Sequence, residues 1–301
     1  MIVAVTGRRH ATACILVDAA LGNAGQAFTN ELGDADVVVV LDSEVDLASV
    51  RSEAVVVAYS DDSAIAHATR GLVARVVTFG LADTADLRAE VIESTLDGTS
   101  FDLVSGDTRA AVTVGVVGES VVPLVLAALA VAAAAGVATS DSIATLAGVS
   151  EAAPHDMAVS RPRPGVVVID DTVDGTPRST ADALKALAQF TIDGTRSIAV
   201  LDELDLPDGT DALESRDEHD RIGRLVVRLN VSRLIVVGQS ARHIHNAAGL
   251  EGSWDGESVL VDTLDQAYDL LNDTEFSSLA ATPVVVLVKS ASPTISEGRT
   301  Q

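Results

Sequence analysis

Lysine is nearly absent. Of the 20 basic residues only Lys185 and Lys289 are lysines, so any chemistry that needs a primary ammonium has two positions available, both in the second half. The one cysteine, Cys14, excludes an intramolecular disulfide and a cysteine-rich metal site. Its apolar surroundings make it a small core residue. Aromatic residues are only 3% of the chain, so cores must be built from Val, Ala, Leu and Ile. Positive charge is scarce as well: 20 bases stand against 44 acids, a formal net charge of −24. That balance excludes a general nucleic-acid binder, whose affinity rests on phosphate contacts, and disfavours an anionic membrane surface. No basic leader precedes Met1-Ile2-Val3-Ala4-Val5, which opens as a strand. The longest apolar run, residues 121–138, contains Pro123 and Gly136 and is mostly alanine, which gains little from hydrocarbon. It is expected as a helix packed on a sheet, closely enough that leucine at Ala130 or Ala134 overpacks it. A cytoplasmic protein without a membrane span is expected.

What is present is core material. Hydrophobic residues make up 48% of 301 positions and charged ones 21%, enough for two domains. Short β-branched runs recur at residues 2–6, 37–41, 54–59, 74–79, 166–169, 197–201, 233–237 and 284–288. Such runs suit strands buried on both faces of parallel sheets. Helical spacing lies between them, at 180–190, 217–229 and 264–272. The alternation predicts α/β architecture with two doubly wound domains. Around 94–113 the pattern changes to two runs, 98–104 and 110–114, expected as antiparallel strands at a sheet edge. Pro154, Pro162 and Pro164 mark a linker at 151–164, with one domain at 1–150 and another at 165–301. The terminal 290–301 is expected to fray.

The first strand ends in Thr6-Gly7-Arg8-Arg9-His10-Ala11-Thr12, the strand–Gly–helix setting of a phosphate-binding loop. That chemistry requires a second glycine and then Lys and Ser/Thr. Here His10 stands at the glycine position, Ala11 at the lysine position, and only Thr12 remains. Gly7, Arg8, Arg9 and Thr12 are the nucleotide-binding candidates, the two arginines supplying charge or merely sitting solvated. In the second half, strands deliver Asp171, Asp174, Glu203 and Lys289 to their carboxyl ends, where open parallel sheets bind ligands. The same acids also suit helix caps. His219, beside Glu218, is either a base or, more commonly for such a position, an exposed helix residue. His243 and His245 have no acid or cysteine at ligand spacing, so no metal site is expected.

Across nearly the whole chain the order of these features resembles the Mur ligases, in particular their D-alanyl-D-alanine-adding branch. Val3-Ala4-Val5-Thr6-Gly7 is similar to the family's V-A-I/V-T-G. Ala58-Tyr59-Ser60-Asp61-Asp62 resembles N-A-D-D, and Arg75-Val76-Val77-Thr78-Phe79-Gly80 resembles R-V-x-T-F-G. Gly118-Glu119-Ser120-Val121-Val122-Pro123-Leu124 resembles G-R-H-N-V-x-N. Residues 170–177 resemble D-D-x-Y-N-A-N-P, Leu201-Asp202-Glu203-Leu204 resembles L-G-D-M-x-E-L, Glu218-His219 the helix start E-H, and Val286-Leu287-Val288-Lys289-Ser290 resembles V-L-V-K-G-S. The family's N-terminal UDP-substrate domain has no counterpart in these residues. About half of the segment between the P-loop and N-A-D-D is also missing.

The resemblance implies a central ATP-binding-like domain and a C-terminal ligase domain. It also implies chemistry in which ATP and magnesium activate a carboxylate as an acyl phosphate for attack by an amine. The departures fall on that chemistry. The P-loop lysine is Ala11. The His and Asn positions of G-R-H-N-V-x-N are Ser120, Val121 and Leu124. The Tyr and two Asn positions of D-D-x-Y-N-A-N-P are Val173, Asp174 and Thr176, and the linker arginine is Asp156. The family's carbamylated central lysine has no equivalent, because residues 1–184 contain none. Two functions are therefore carried forward: a degenerate homologue that binds a protein partner, such as a cell-wall ligase, or a divergent ATP-dependent amide ligase. An unrelated activity on the same fold is the third. A nicotinamide dehydrogenase is weak, since no G-x-G-x-x-G follows any strand.

Overall fold

Every β-branched run predicted above forms a strand in the computed structural model, which describes residues 1–7, 9–22, 26–43, 45–191, 194–252, 254–272 and 283–289. The chain divides into two compact units, Met1–Ala153 and Pro154–Gln301.

The first unit runs β1 (Ile2–Thr6), α1 (His10–Ala20), β2 (Ala27–Thr29), β3 (Val37–Val40), β4 (Val55–Tyr59), α2 (Ser63–Thr69), β5 (Arg75–Gly80), β6 (Leu87–Thr95), β7 (Gly98–Ser105), β8 (Thr108–Val114), α3 (Val122–Ala134) and α4 (Thr139–Leu146). Its eight-stranded sheet has the order β2-β1-β3-β4-β5-β6-β7-β8. Pairing is parallel from β2 through β6 and antiparallel from β6 to β8. The antiparallel edge expected near 94–113 is thus present, with β6 as a further strand. Alternation along β3 and β4 sends Val39 and Val57 to the face covered by α1 and α3. Val38, Val40, Val56 and Ala58 point to the other face, with Ile65 of α2.

The alanine-rich run becomes α3, buried over nearly its whole length. Pro123 sits in its first turn, where the missing N–H costs nothing. Gly136, at φ +78°, stops the helix: its N–H donates to Ala133 (3.1 Å) and that of Val137 to Ala132 (2.9 Å), the pairing of a Schellman end. Thirteen residues reach about 20 Å, short of a bilayer. Among the described residues no helix is long and apolar enough to cross a membrane. Ala130 is buried, whereas Ala134 is half-buried. Ala130→Leu is therefore expected to cost about 1–3 kcal/mol, seen as a lower Tm, with Ala134→Leu nearer the parent. Cys14 is half-buried against this same core, and burial pushes its thiol pKa up.

The second unit runs β9 (Ala158–Arg163), β10 (Val166–Asp170), α5 (Pro177–Phe190), β11 (Arg196–Leu201), α6 (Ala212–Arg228), β12 (Arg233–Val237), α7 (Arg242–Leu250), β13 (Glu257–Val261), α8 (Leu264–Leu270) and β14 (Val284–Lys289). The sheet order is β13-β12-β11-β14-β10-β9, parallel except for β9. The last strand thus returns to the centre, between β10 and β11. One face packs Ile198, Val200, Ile235, Val237, Val286 and Val288 against α8; α5, α6 and α7 lie on the other. Residues 158–163, expected within a linker, are β9. The fraying expected at 290–301 lies outside the described residues.

Candidate functional site

In the first unit, the β1–α1 turn is built around Gly7. Its φ is +102°, and a Cβ there would lie 3.1 Å from Leu41 Cβ and 3.3 Å from Asp42 Cβ. The left-handed conformation and the close neighbours both favour glycine. Arg8 lies outside the described residues. The Arg9 guanidinium donates from Nη1 to the carbonyl of Ser120 at 2.7 Å, tying this turn to the residues that lead into α3. Thr12 is fully buried, and its hydroxyl accepts the N–H of Ala153 at 3.0 Å. Two of the four nucleotide candidates are therefore used to hold the unit's own backbone. Ala11 is exposed at the start of α1, and the first turn carries no acid and no side-chain cap.

In the second unit, Asp171 and Lys289 leave adjacent strands and meet in a buried ion pair. Lys289 Nζ also donates to Ser179 Oγ at 2.8 Å, and Asp171 Oδ1 accepts the N–H of Met157 at 3.2 Å. Asp174 Oδ1 accepts the N–H of Thr176 (3.0 Å), and Thr176 Oγ1 caps α5 through the N–H of Ser179 (3.3 Å). Asp174 thus braces the cap residue Thr176, which itself caps α5. Glu203 is exposed at the end of β11, its N–H bound to Asp202 Oδ1 at 2.7 Å.

His219 is neither a base nor an exposed helix residue. It is buried, with Nδ1 on the carbonyl of Ser215 at 2.7 Å and Nε2 accepting the N–H of Leu204 at 3.2 Å. Both nitrogens hold backbone, so the ring pins the loop after β11 to α6 and leaves no nitrogen for a ligand. The helical stripe His219, Ile222, Gly223, Val226 is the signal that places it inside.

A second histidine escaped the sequence reading. His155 Nδ1 meets Asp170 Oδ2 at 2.8 Å, and Thr172 Oγ1 donates to Asp170 Oδ1 at 2.9 Å. His155 and Met157 both adopt positive φ, +66° and +53°, a strained state for such side chains. It is held by the carboxylates of Asp170 and Asp171 and by the bond from the Val173 N–H to the His155 carbonyl at 3.0 Å. Burial, then the nearby Asp170 charge, pushes the Tyr268 phenol up.

No protein-family model matches the chain. The UDP-N-acetylmuramoyl-tripeptide--D-alanyl-D-alanine ligase of Mycobacterium tuberculosis is 35% identical over 274 residues, covering 87% of this chain and 53% of that protein. The protein of the same description from Mycobacterium leprae is 35% identical over 264 residues, 79% of this chain and 50% of its own. A crystal structure of MurF from Acinetobacter baumannii superposes with a TM-score of 0.75 at 18% identity, over 96% of this chain and 73% of that one. The chain spans about half the length of the curated relatives it matches. Its two sheets match the central and C-terminal domains of such ligases, and with 35% identity along most of its length the chain belongs to the Mur ligase family as a divergent member.

Proposed function

We propose that this chain is a catalytically degenerate Mur ligase homologue, acting by binding or regulation in peptidoglycan precursor synthesis. The observation that carries this reading is the state of Thr12. In a phosphate-binding loop that hydroxyl faces the magnesium ion; here it is buried and accepts the Ala153 N–H. With alanine at position 11 the loop supplies no ammonium for the terminal phosphates, and the Arg9 guanidinium is engaged by the Ser120 carbonyl. These residues do not fit a magnesium-bound triphosphate. Single electrostatic groups of this kind contribute about 3–4 kcal/mol each to transition-state stabilisation, and positioning is most of what phosphoryl transfer needs.

The connection to peptidoglycan rests on the relatives' activity, the partner being a cell-wall ligase or a related protein in the cytoplasm. The −24 charge favours a basic partner surface. The test is phosphate release from magnesium-ATP with a UDP-muramoyl peptide and D-alanyl-D-alanine, run beside an Arg8→Ala/Arg9→Ala variant. Release at background in both proteins is expected. Turnover that the variant loses would establish the divergent amide ligase instead, with the arginines replacing lysine.

A further inference from the structure

The second unit's sheet has two edges of opposite character. Strand β9 presents exposed Arg161, Pro162 and Arg163, and charge with proline is how edge strands resist further pairing. Strand β13 carries Val259, Leu260 and Val261 in succession, all partly exposed. It pairs with β12 alone among the described strands. Among the described residues neither proline nor Lys/Arg guards this edge.

Its hydrogen-bonding groups can be assigned. The N–H of Glu257 donates to Ser232 at 3.3 Å, and the carbonyl of Val261 accepts from Gly238 at 2.8 Å, so residues 257, 259 and 261 face β12. The alternation of a parallel ladder then turns the N–H and C=O of Ser258 and Leu260 outward. At Asp262 the N–H is taken by Gln266 Oε1 at 2.8 Å, which ends the available ladder. Beside the edge, between β13 and α8, lies a concavity of about 420 Å3 lined by residues 259–261 and Leu270 and by polar Asp262, Gln266 and Asp269.

We propose that β13 and α8 form a strand-addition site for an extended segment of a partner protein, apolar at alternate positions and carrying Lys or Arg. Main-chain bonds to Ser258 and Leu260 supply the affinity, and the groove between strand and helix takes one β-branched side chain. The carboxylates of Asp262 and Asp269 receive the basic residue, and the chain's negative field steers a cationic segment toward them. The proposal holds whether or not the chain turns over ATP.

The probe is a capped peptide, Arg-Val-Thr-Val-Lys-Val, titrated into the full-length isotope-labelled chain. Saturable micromolar binding is expected, with amide shifts at residues 258–262 and slowed hydrogen exchange at Leu260. Asp269→Lys, on the exposed face of α8, should weaken binding more than tenfold. Leu260→Pro, which deletes an outward N–H, should abolish it while the fold is retained. Absence of binding up to millimolar peptide, affinity unchanged in Asp269→Lys, or shifts mapping elsewhere would overturn the proposal. So would a dimer that Leu260→Pro dissociates, since the edge then serves a second copy of the chain. Tighter peptide binding after removal of residues 290–301 would assign the edge to the chain's own terminus, with the same consequence.

Discussion

Lys289→Met is expected to destabilise the second unit by about 3–5 kcal/mol, the cost of removing one partner of a buried ion pair. Lys289 and Asp171 are 3% and 5% exposed, so neither charge is rehydrated when the other is lost. Methionine fills the lysine stem, and the change therefore isolates the charge and the bond to Ser179. The readout is built in: Trp254 is the only tryptophan, lies in the second unit, and donates from Nε1 to the carbonyl of Val231 at 3.0 Å. Urea unfolding followed by its fluorescence reports this unit, while a signal from the whole chain mixes two transitions. The double variant Lys289→Met/Asp171→Leu should recover much of the loss, because apolar replacement of a whole buried pair is often close to neutral. A single variant that unfolds like the parent would mean that the pair is solvated, contrary to its burial.

That pair illustrates where sequence reasoning stops. Lys289 and Asp171 are each legible as residues at the carboxyl end of a β-branched run. They are 118 positions apart, and only the insertion of β14 between β10 and β11 makes them adjacent. A parallel sheet's order is a long-range property, and local pattern carries no record of it. Central strands were readable because burial on both faces demands unbroken apolar runs, as in Val284–Lys289.

The antiparallel edge strand β8 was readable, whereas the edges β2, β9 and β13 were not. Strand β9, with Arg161, Pro162 and Arg163, has the composition of a linker for the same reason that it is a safe edge. Helix α6 begins at Ala212 rather than near 217, because Asp211 accepts the N–H groups of Leu213 and Glu214 at 2.8 and 2.9 Å. That capping pattern was present in Asp211-Ala212-Leu213-Glu214. In the candidate site, the sequence located the loop at Gly7 and the replaced lysine at Ala11. It could not show that Thr12, the one surviving residue of the pattern, is buried and accepts the Ala153 N–H.

Glycine in the middle of α6 gives the other large effect. Gly223 lies where α6 and α7 cross, and a Cβ there would stand 2.3 Å from the carbonyl oxygen of Ile244 and 2.9 Å from Ala247 Cβ. The first obstacle is backbone, which cannot rotate away as a side chain can. Gly223→Leu is expected to cost more than about 4 kcal/mol, in the range reserved for severe core disruption. It moves the Trp254 fluorescence midpoint far down or unfolds the second unit outright. Gly223→Ala should cost less, since helix propensity returns about 1 kcal/mol against an overpacking term of about 1–3 kcal/mol. Gly249 is the control. It lies in α7, and a Cβ there would meet no atom within 4 Å, so Gly249→Ala keeps the propensity gain without the clash and should stabilise by up to about 1 kcal/mol. The two alanine substitutions thus shift the same transition in opposite directions, because one helical glycine admits a neighbour and the other faces open space. Equal shifts of either sign would show that α6 and α7 do not approach closely at Gly223.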